Sequence, residues 1–224
     1  MDLGIKDRVA LITASSRGLG KAAAFELSRE GAKVALCSRS KDKLLQTRDE
    51  IAKETGNEAS VYVADVTDRS GVSDLVKEVV KTYGTIEILV CNAGGPPSGM
   101  AKDFSLDVYQ SALELNLLSI INLCLEVMPL MKERNWGRII NITSISAKQP
   151  IDTLILSNTA RAGVLGFSKS LSNQLASFGI TVNSVCPGYT KTERVEELAK
   201  SFEESAKGTV ADFYSNIEKL IPME

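Results

Sequence analysis

The stretch Val9-Ala10-Leu11-Ile12-Thr13-Ala14-Ser15-Ser16-Arg17-Gly18-Leu19-Gly20 decides how this chain is read. An apolar run of strand length meets a turn of small residues, and a helical pattern from Lys21 to Glu30 succeeds it at once. Small residues let a backbone approach a ligand closely, and a helix opening there aims its unbonded N–H groups at an anion. Strand, tight turn and helix in that order make the geometry of a dinucleotide pyrophosphate site. An ordinary strand-turn-helix corner has the same outline, and Ala14 stands where a first glycine is expected. The remainder of the chain decides between the two.

Working outward, Ala32 to Ser38 reads as a second strand, and Ser40 is placed to cap a charged amphipathic helix from Lys41 to Thr55. Ser60 to Ala64 is a third strand, and Thr67 is placed to cap a helix running to about Tyr83. Ile86 to Cys91 is almost wholly apolar, as a parallel strand covered on both faces should be. A long helix runs from Ser105 towards Met128, where Pro129 is expected to bend or end it. From Leu117 onward that helix is apolar nearly all round, which suggests burial by its own sheet and by a second subunit. Arg138 to Thr143, a helix from Asp152 to Ser177, and Ile180 to Cys186 complete the alternation. Strands and helices in alternation call for one doubly wound α/β sheet of the Rossmann type. Its strands are parallel, its helices cover both faces, and its ligands bind at the carboxyl ends of the strands. The tail from Lys191 is charged and helix-prone, and reads equally as a flap over the site or as a surface helix pair.

Composition narrows the function. The 224 residues are 44% apolar, which is one substantial core, so residues 1–224 read as a single domain. A net charge of −2 without a basic block argues against nucleic acid or an anionic membrane as partner. The N-terminal Met1 to Arg8 lacks the apolar region of a signal peptide. Leu117 to Met131, interrupted by Asn122, Glu126 and Pro129, reads as too short and too polar to cross a bilayer. Cys37, Cys91, Cys124 and Cys186 have no zinc-site spacing, so no metal is expected, and buried thiols fit a reducing cytoplasm. Histidine is absent, which removes imidazole bases and histidine triads.

The motifs together resemble the short-chain dehydrogenase/reductase family from about Asp7 to Thr192. Thr13 to Gly20, with Ser15, Ser16, Arg17, Gly18 and Leu19 between, is similar to its glycine-rich loop, with Ala14 for the first glycine. Asp65 and the adjoining Val66 match the site beside the adenine ring, and Asn92-Ala93-Gly94 matches the turn that borders the cofactor. Asn116, Ser144 and the segment from Asn183 to Pro187-Gly188 match as well. The resemblance implies that Thr190 and Thr192 contact the cofactor, Thr192 at the nicotinamide carboxamide. It also implies a homodimer or homotetramer acting on a small-molecule carbonyl or alcohol, a 3-oxoacyl thioester being one candidate.

Two features set the chain apart. A dehydrogenase preferring NAD places an acid after strand two to hold the ribose 2′-hydroxyl. Here Ser38-Arg39-Ser40 stands there, with Arg17 in the glycine loop, and two guanidinium groups suit the 2′-phosphate of NADP(H). The second feature lies in the proton-transfer machinery. Where the family has tyrosine and, four residues on, lysine, the chain reads Ser157-Asn158-Thr159-Ala160-Arg161-Ala162-Gly163. A serine hydroxyl is a far weaker acid than a phenol, and a guanidinium keeps its proton. Spaced as i and i+4, Ser157 and Arg161 face the same side of a helix, where Arg161 could grip the ribose and polarise a carbonyl. Ser144 is expected to orient the substrate oxygen, and Asn116 to hold a water or a helix bend. Tyr189, after Pro187-Gly188, is a substitute proton donor if Arg161 lies near enough to depress its pKa, and otherwise a wall of the pocket. The alternative is an NADP(H)-binding sensor or assembly subunit without turnover. Family members also continue past the residue matching Glu224 with a helix and a strand, so the sequence is expected to be a truncated one.

Overall fold

In the computed structural model, which describes residues 3–205, 208–219 and 221, strand β1 spans Val9–Thr13 and every residue of it is buried. Its side chains alternate between two cores, Val9 and Leu11 facing one, Ala10 and Ile12 the other. The same division runs through β2 (Lys33–Ser38) and β4 (Ile88–Cys91), where Ala35, Cys37, Leu89 and Cys91 oppose Val34, Leu36, Ile88 and Val90. A strand buried on both faces has no polar side, which is why these runs read as continuous apolar segments. With β3 (Ala59–Val63), β5 (Gly137–Ile142) and β6 (Ile180–Val185) they form one sheet in the order β3-β2-β1-β4-β5-β6, with every pairing parallel.

Helices cover both faces. On one side lie α1 (Gly18–Arg29) and α2 (Lys41–Thr55), which insert Ala24, Leu44 and Ile51. On the other lie α3 (Arg69–Tyr83), a long helix in two parts, α4 (Leu106–Leu113) and α5 (Ser119–Glu133), and α6 (Ile155–Leu175). From these, Val72, Val79, Leu123, Val127, Val164 and Leu175 fill the second core. Each fully buried Leu or Val contributes about 1.5–3 kcal/mol by leaving water. The doubly wound sheet expected from the alternation is present. After β6 come α7 (Glu193–Glu204) and α8 (Val210–Glu218), and the chain divides into two compact units, Met1–Cys186 and Pro187–Glu224. Parts of the tail expected over 191–224 lie outside the described residues.

Several local expectations are corrected. Ser40 occupies the cap position of α2, yet its side chain makes no capping bond; the neighbouring Ser38 hydroxyl accepts the Ser40 N–H instead. At α3 the cap is Asp68, whose carboxylate accepts the Ser70 N–H, while the Thr67 hydroxyl turns back to Asp65. Pro129 neither ends nor interrupts α5, which continues to Glu133. The irregularity lies upstream, in one π turn over Glu114–Leu118 that joins α4 to α5. The 117–131 stretch is part of a continuous helix of 28 residues, Leu106–Glu133, with a mean hydropathy of 1.5 in its most apolar window. By length and composition that helix could cross a bilayer, contrary to the expectation; here Ile120, Leu123, Val127 and Met131 lie in the core.

Candidate active site

The sheet order reverses between β1 and β4, so the crossovers leaving these two strands run in opposite directions and open a crevice at their carboxyl ends. Thr13 closes β1 there, fully buried, and its hydroxyl donates to the Asn92 carbonyl at 2.7 Å while accepting the Asn92 N–H at 2.9 Å. Asn92 Nδ2 reaches the Ala14 carbonyl at 3.4 Å. The loop after β1 and the Asn92-Ala93-Gly94 turn are thereby one unit. Two more bonds fix the loop to β2: Ser15 N donates to the Cys37 carbonyl, and the Ser15 hydroxyl accepts the Cys37 N–H at 2.9 Å. The side chains of Thr13 and Ser15 therefore hold the cradle together from within.

The cradle's lining is backbone. Arg17 takes the N-cap position of α1 in an extended conformation with no side-chain capping bond, and Gly18 comes next at φ +56°. The first-turn N–H groups of Gly18, Leu19 and Gly20 have no intrahelical acceptors, the donor arrangement a pyrophosphate needs. Gly20 has no room for a side chain, since a Cβ would lie 2.5 Å from the Ala14 carbonyl oxygen and 2.8 Å from Asn92 Nδ2. Ser16 offers its carbonyl to the Thr47 hydroxyl of α2. These donors fit a dinucleotide phosphate.

At the outer end of the crevice Arg39, exposed beyond β2, lies 3.6 Å from Asp65. Asp65 also accepts the backbone N–H and the hydroxyl of Thr67, and these bonds, with Arg39 beside them, hold its carboxyl below the usual range. Val66, next along, packs against the core. Arg17 and Arg39 each stand two residues beyond the bonded pair Ser15 and Cys37, so both leave the same edge of the sheet.

A second group forms between β5 and α6. Ser144 lies just past β5, and its oxygen accepts the Ser146 N–H at 3.1 Å. Ser157 sits in the first turn of α6, and Arg161 one turn on. Arg161 is only 8% exposed; its Nε donates to Ser157 Oγ at 3.1 Å and its Nη1 to the Ile142 carbonyl at 3.1 Å. The guanidinium thus bridges the end of β5 to the start of α6, two residues before Ser144. Asn116, in the π turn, donates from Nδ2 to the Gly94 carbonyl at 2.8 Å, and its buried Oδ1 has no hydrogen-bond partner among the described residues. Ser144, Ser157, Arg161 and Asn116 are therefore brought to the carboxyl side of the sheet, next to the cradle.

Pro187, Gly188, Tyr189, Thr190 and Thr192 belong to the second unit. Thr190 N donates to the Gly188 carbonyl in a tight turn, and Thr192 is the cap position of α7. The Tyr189 ring packs edge-on against Phe213, with centroids 6.2 Å apart. Its phenol is not depressed as a proton donor would require: burial pushes its pKa up. No group of three or more His, Cys, Asp or Glu able to hold a metal occurs among the described residues.

Sequence reasoning missed the polar struts of the second group. Asn158 ties the loop before α6 by donating to the Ile151 carbonyl at 2.9 Å, and Thr143 donates to the Val185 carbonyl at 2.9 Å. Asn141, Ser168 and Ser184 form a buried chain linking β5, α6 and β6. Their only signal is a polar residue at a core-facing position.

With this geometry established, comparison with known proteins is specific. Residues 8–202 match the model of the family described as short chain dehydrogenase. The chain belongs to the short chain dehydrogenase family. The crystal structure of a single-residue variant of actinorhodin polyketide ketoreductase with NADPH superposes on this short chain dehydrogenase with a TM-score of 0.92. Its sequence is 32% identical, over 97% of this chain and 84% of that one. A 3-oxoacyl-[acyl-carrier-protein] reductase of Synechocystis is 34% identical over 194 residues, 85% of this chain and 77% of its own length. The L-sorbose reductase of Gluconobacter frateurii, crystallised with NADPH and L-sorbose, has a TM-score of 0.88 and 30% identity, covering 98% of this chain and 82% of that one. As a short chain dehydrogenase, the chain is an oxidoreductase enzyme.

Proposed function

We propose that this protein is an NADP(H)-dependent oxidoreductase that interconverts a carbonyl and an alcohol, with 3-oxoacyl thioesters the leading substrate class. The observation that carries the cofactor preference is the end of β2. A guanidinium, Arg39, stands there in place of a carboxylate, and Arg17 leaves the same edge of the sheet. Two arginines form charge-assisted bonds with a 2′-phosphate and have nothing equivalent to hold on a 2′-hydroxyl. The NADPH-bound ketoreductase and sorbose reductase support that preference, and the ketoreductase and 3-oxoacyl reductase relatives support the substrate class.

In this reading the first turn of α1 binds the pyrophosphate, and Asp65 with Val66 borders the adenine. Ala93 and Gly94 would flank the middle of the cofactor. The bound nicotinamide supplies or accepts the hydride. Ser144 would orient the substrate oxygen by donating a hydrogen bond to it. Arg161 places a buried positive charge behind Ser157, which polarises a carbonyl and holds the nicotinamide ribose. Ser157 accepts from Arg161, so its own O–H can still donate to substrate.

The proton-transfer machinery is altered. Ser157 and Arg161 occupy the positions where the family carries tyrosine and lysine, and neither is an acid of useful strength near neutral pH. Burial raises the Tyr189 phenol, so in this reading the substitute donor is a water, for which the unpartnered Asn116 Oδ1 would serve as acceptor. Accordingly Tyr189→Phe should retain most of the turnover. A second reading, a nucleotide-binding subunit without turnover, draws on the internal engagement of Arg161 by Ile142 and Ser157.

The test is an NADPH and NADH titration paired with NADPH consumption over ketones, keto acids and 3-oxoacyl thioesters. Arg39→Ala should weaken NADPH about tenfold or more and leave NADH within about twofold, the loss of one charge-assisted phosphate contact. Equal weakening of both cofactors would remove the NADP(H) assignment. Tight NADPH binding with no substrate consumed would favour the second reading.

A further inference from the structure

The segment from Gly94 to Gly99 is tied down at both ends. At one end the Gly94 carbonyl accepts Asn116 Nδ2. At the other, Gly99 N donates to the Thr153 carbonyl at 2.7 Å, and Gly99 pairs with Leu154 in an isolated parallel bridge. Leu154 is the N-cap residue of α6, at φ −119° and ψ 35°, and a leucine cannot cap a helix with its side chain. What fixes the start of α6 is therefore not the Leu154 side chain but contacts made to the loop before it. Asn158 holds the preceding loop from the helix side by donating to the Ile151 carbonyl, and Gly99 holds it from the side of β4.

Ser157 is the third residue of that helix and Arg161 lies one turn on, so a shift of the cap moves both. We propose that the Gly99 N–H to Thr153 carbonyl bond is a positioning contact, which sets the start of α6 and thereby where Ser157 and Arg161 stand relative to Ser144. The inference rests on the oxidoreductase reading above. The site of the contact is built for close approach. A Cβ at Gly99 would lie 2.6 Å from Phe104 Cζ and 2.9 Å from its Cε2. Phe104 is itself held edge-on by Tyr109, with centroids 6.5 Å apart, and Asp103 caps the next residue by accepting the Met100 N–H at 2.7 Å. A bare backbone is thus required for this donor to reach Thr153 beneath the Phe104 ring.

Two double variants isolate the donor. Gly99→Ala with Phe104→Ala keeps the N–H and clears the space for a methyl group; Gly99→Pro with Phe104→Ala removes the N–H against the same background. Three readouts are taken: kcat and KM for reduction, NADPH affinity, and amide hydrogen exchange of residues 155–161 in the cofactor-free protein. The alanine pair should stay within about threefold of the parent in kcat. The proline pair should lose about tenfold or more in kcat, keep NADPH affinity within about twofold, and exchange faster over 155–161 alone. Equal kcat and equal exchange in the two pairs would overturn the proposal. So would a proline pair that loses NADPH affinity, or protection throughout the sheet, in step with kcat, because the bond would then merely support the fold. A parent protein that turns over no substrate refutes the oxidoreductase reading and not this one. The exchange comparison then decides whether the Gly99 donor sets the start of α6.

Discussion

Ala14 adopts φ +46°, in the left-handed region that a side chain disfavours, at the point where the turn leaves β1 for α1. The left-handed conformation costs a residue with a Cβ about 1–2 kcal/mol, while glycine's extra unfolded freedom returns about half of that. Ala14→Gly should therefore stabilise the protein by about 0.5–1 kcal/mol in urea unfolding and leave NADPH affinity unchanged. Gly20 behaves in the opposite sense. Gly20→Ala drives a methyl into the Ala14 carbonyl and Asn92, and should cost about 1–3 kcal/mol by overpacking while weakening NADPH, as calorimetry would read. The thiols make a pH prediction. Burial pushes Cys37 up to about 12, and contact with the Cys124 thiol together with burial raises Cys91. An unfolded thiol ionises near about 8.5, so the unfolded chain loses these protons first as pH rises. Their contribution is fully present below about pH 8.5 and is lost progressively as the pH climbs towards about 12. Denaturation midpoints should fall across that window, and Cys37→Ala should flatten the decline.

At the scale of elements, the sequence disclosed what burial on two faces dictates and concealed what depends on a neighbour. β1, β2 and β4 are legible because residues 9–12, 34–37 and 88–91, buried between two cores, are apolar throughout, and the leucines and valines of α3 recur at helical spacing. Caps were less legible. Ser40 and Thr67 have the right chemistry, but Ser40 makes no side-chain capping bond, and Thr67 donates its hydroxyl to Asp65 while Asp68 takes the Ser70 N–H. Pro129 misleads for a related reason. It is exposed, and so is Leu125, whose carbonyl loses the i+4 donor, so the missing bond falls on the solvent side of the helix, where it costs least, and the helix continues. The ring remains unfavourable inside a helix. Pro129→Ala should raise stability by about 2 kcal/mol, the helix penalty of about 3 less the entropy that proline removes from the unfolded chain. Urea unfolding at fixed protein concentration measures it, and an unchanged midpoint would mean that α5 has relaxed around the ring.

The whole molecule shows where local reading stops. The glycine-rich corner could be read because it is contiguous, whereas the junction of Thr13 with Asn92 and of Arg161 with Ile142 exists only once the sheet is assembled. Spacing placed Ser157 and Arg161 on one helix face, but it held no information that the guanidinium would be buried against the end of β5. An exposed apolar pair lies on the long helix. Its inner face is core, while Leu118 and Leu125 are each 52% exposed, one heptad apart and so on the same side of the helix. Such a stripe fits a helix that meets its own copy about a two-fold axis, where every side chain of the interface occurs twice. Introducing Leu118→Glu with Leu125→Glu would place four carboxylates in one dimer contact while leaving the core of each subunit untouched. Sedimentation should show the parent as a dimer or larger and the double variant as a monomer that keeps the parent's circular dichroism. A parent that sediments as a monomer, or a variant that stays assembled, would move the contact away from this face.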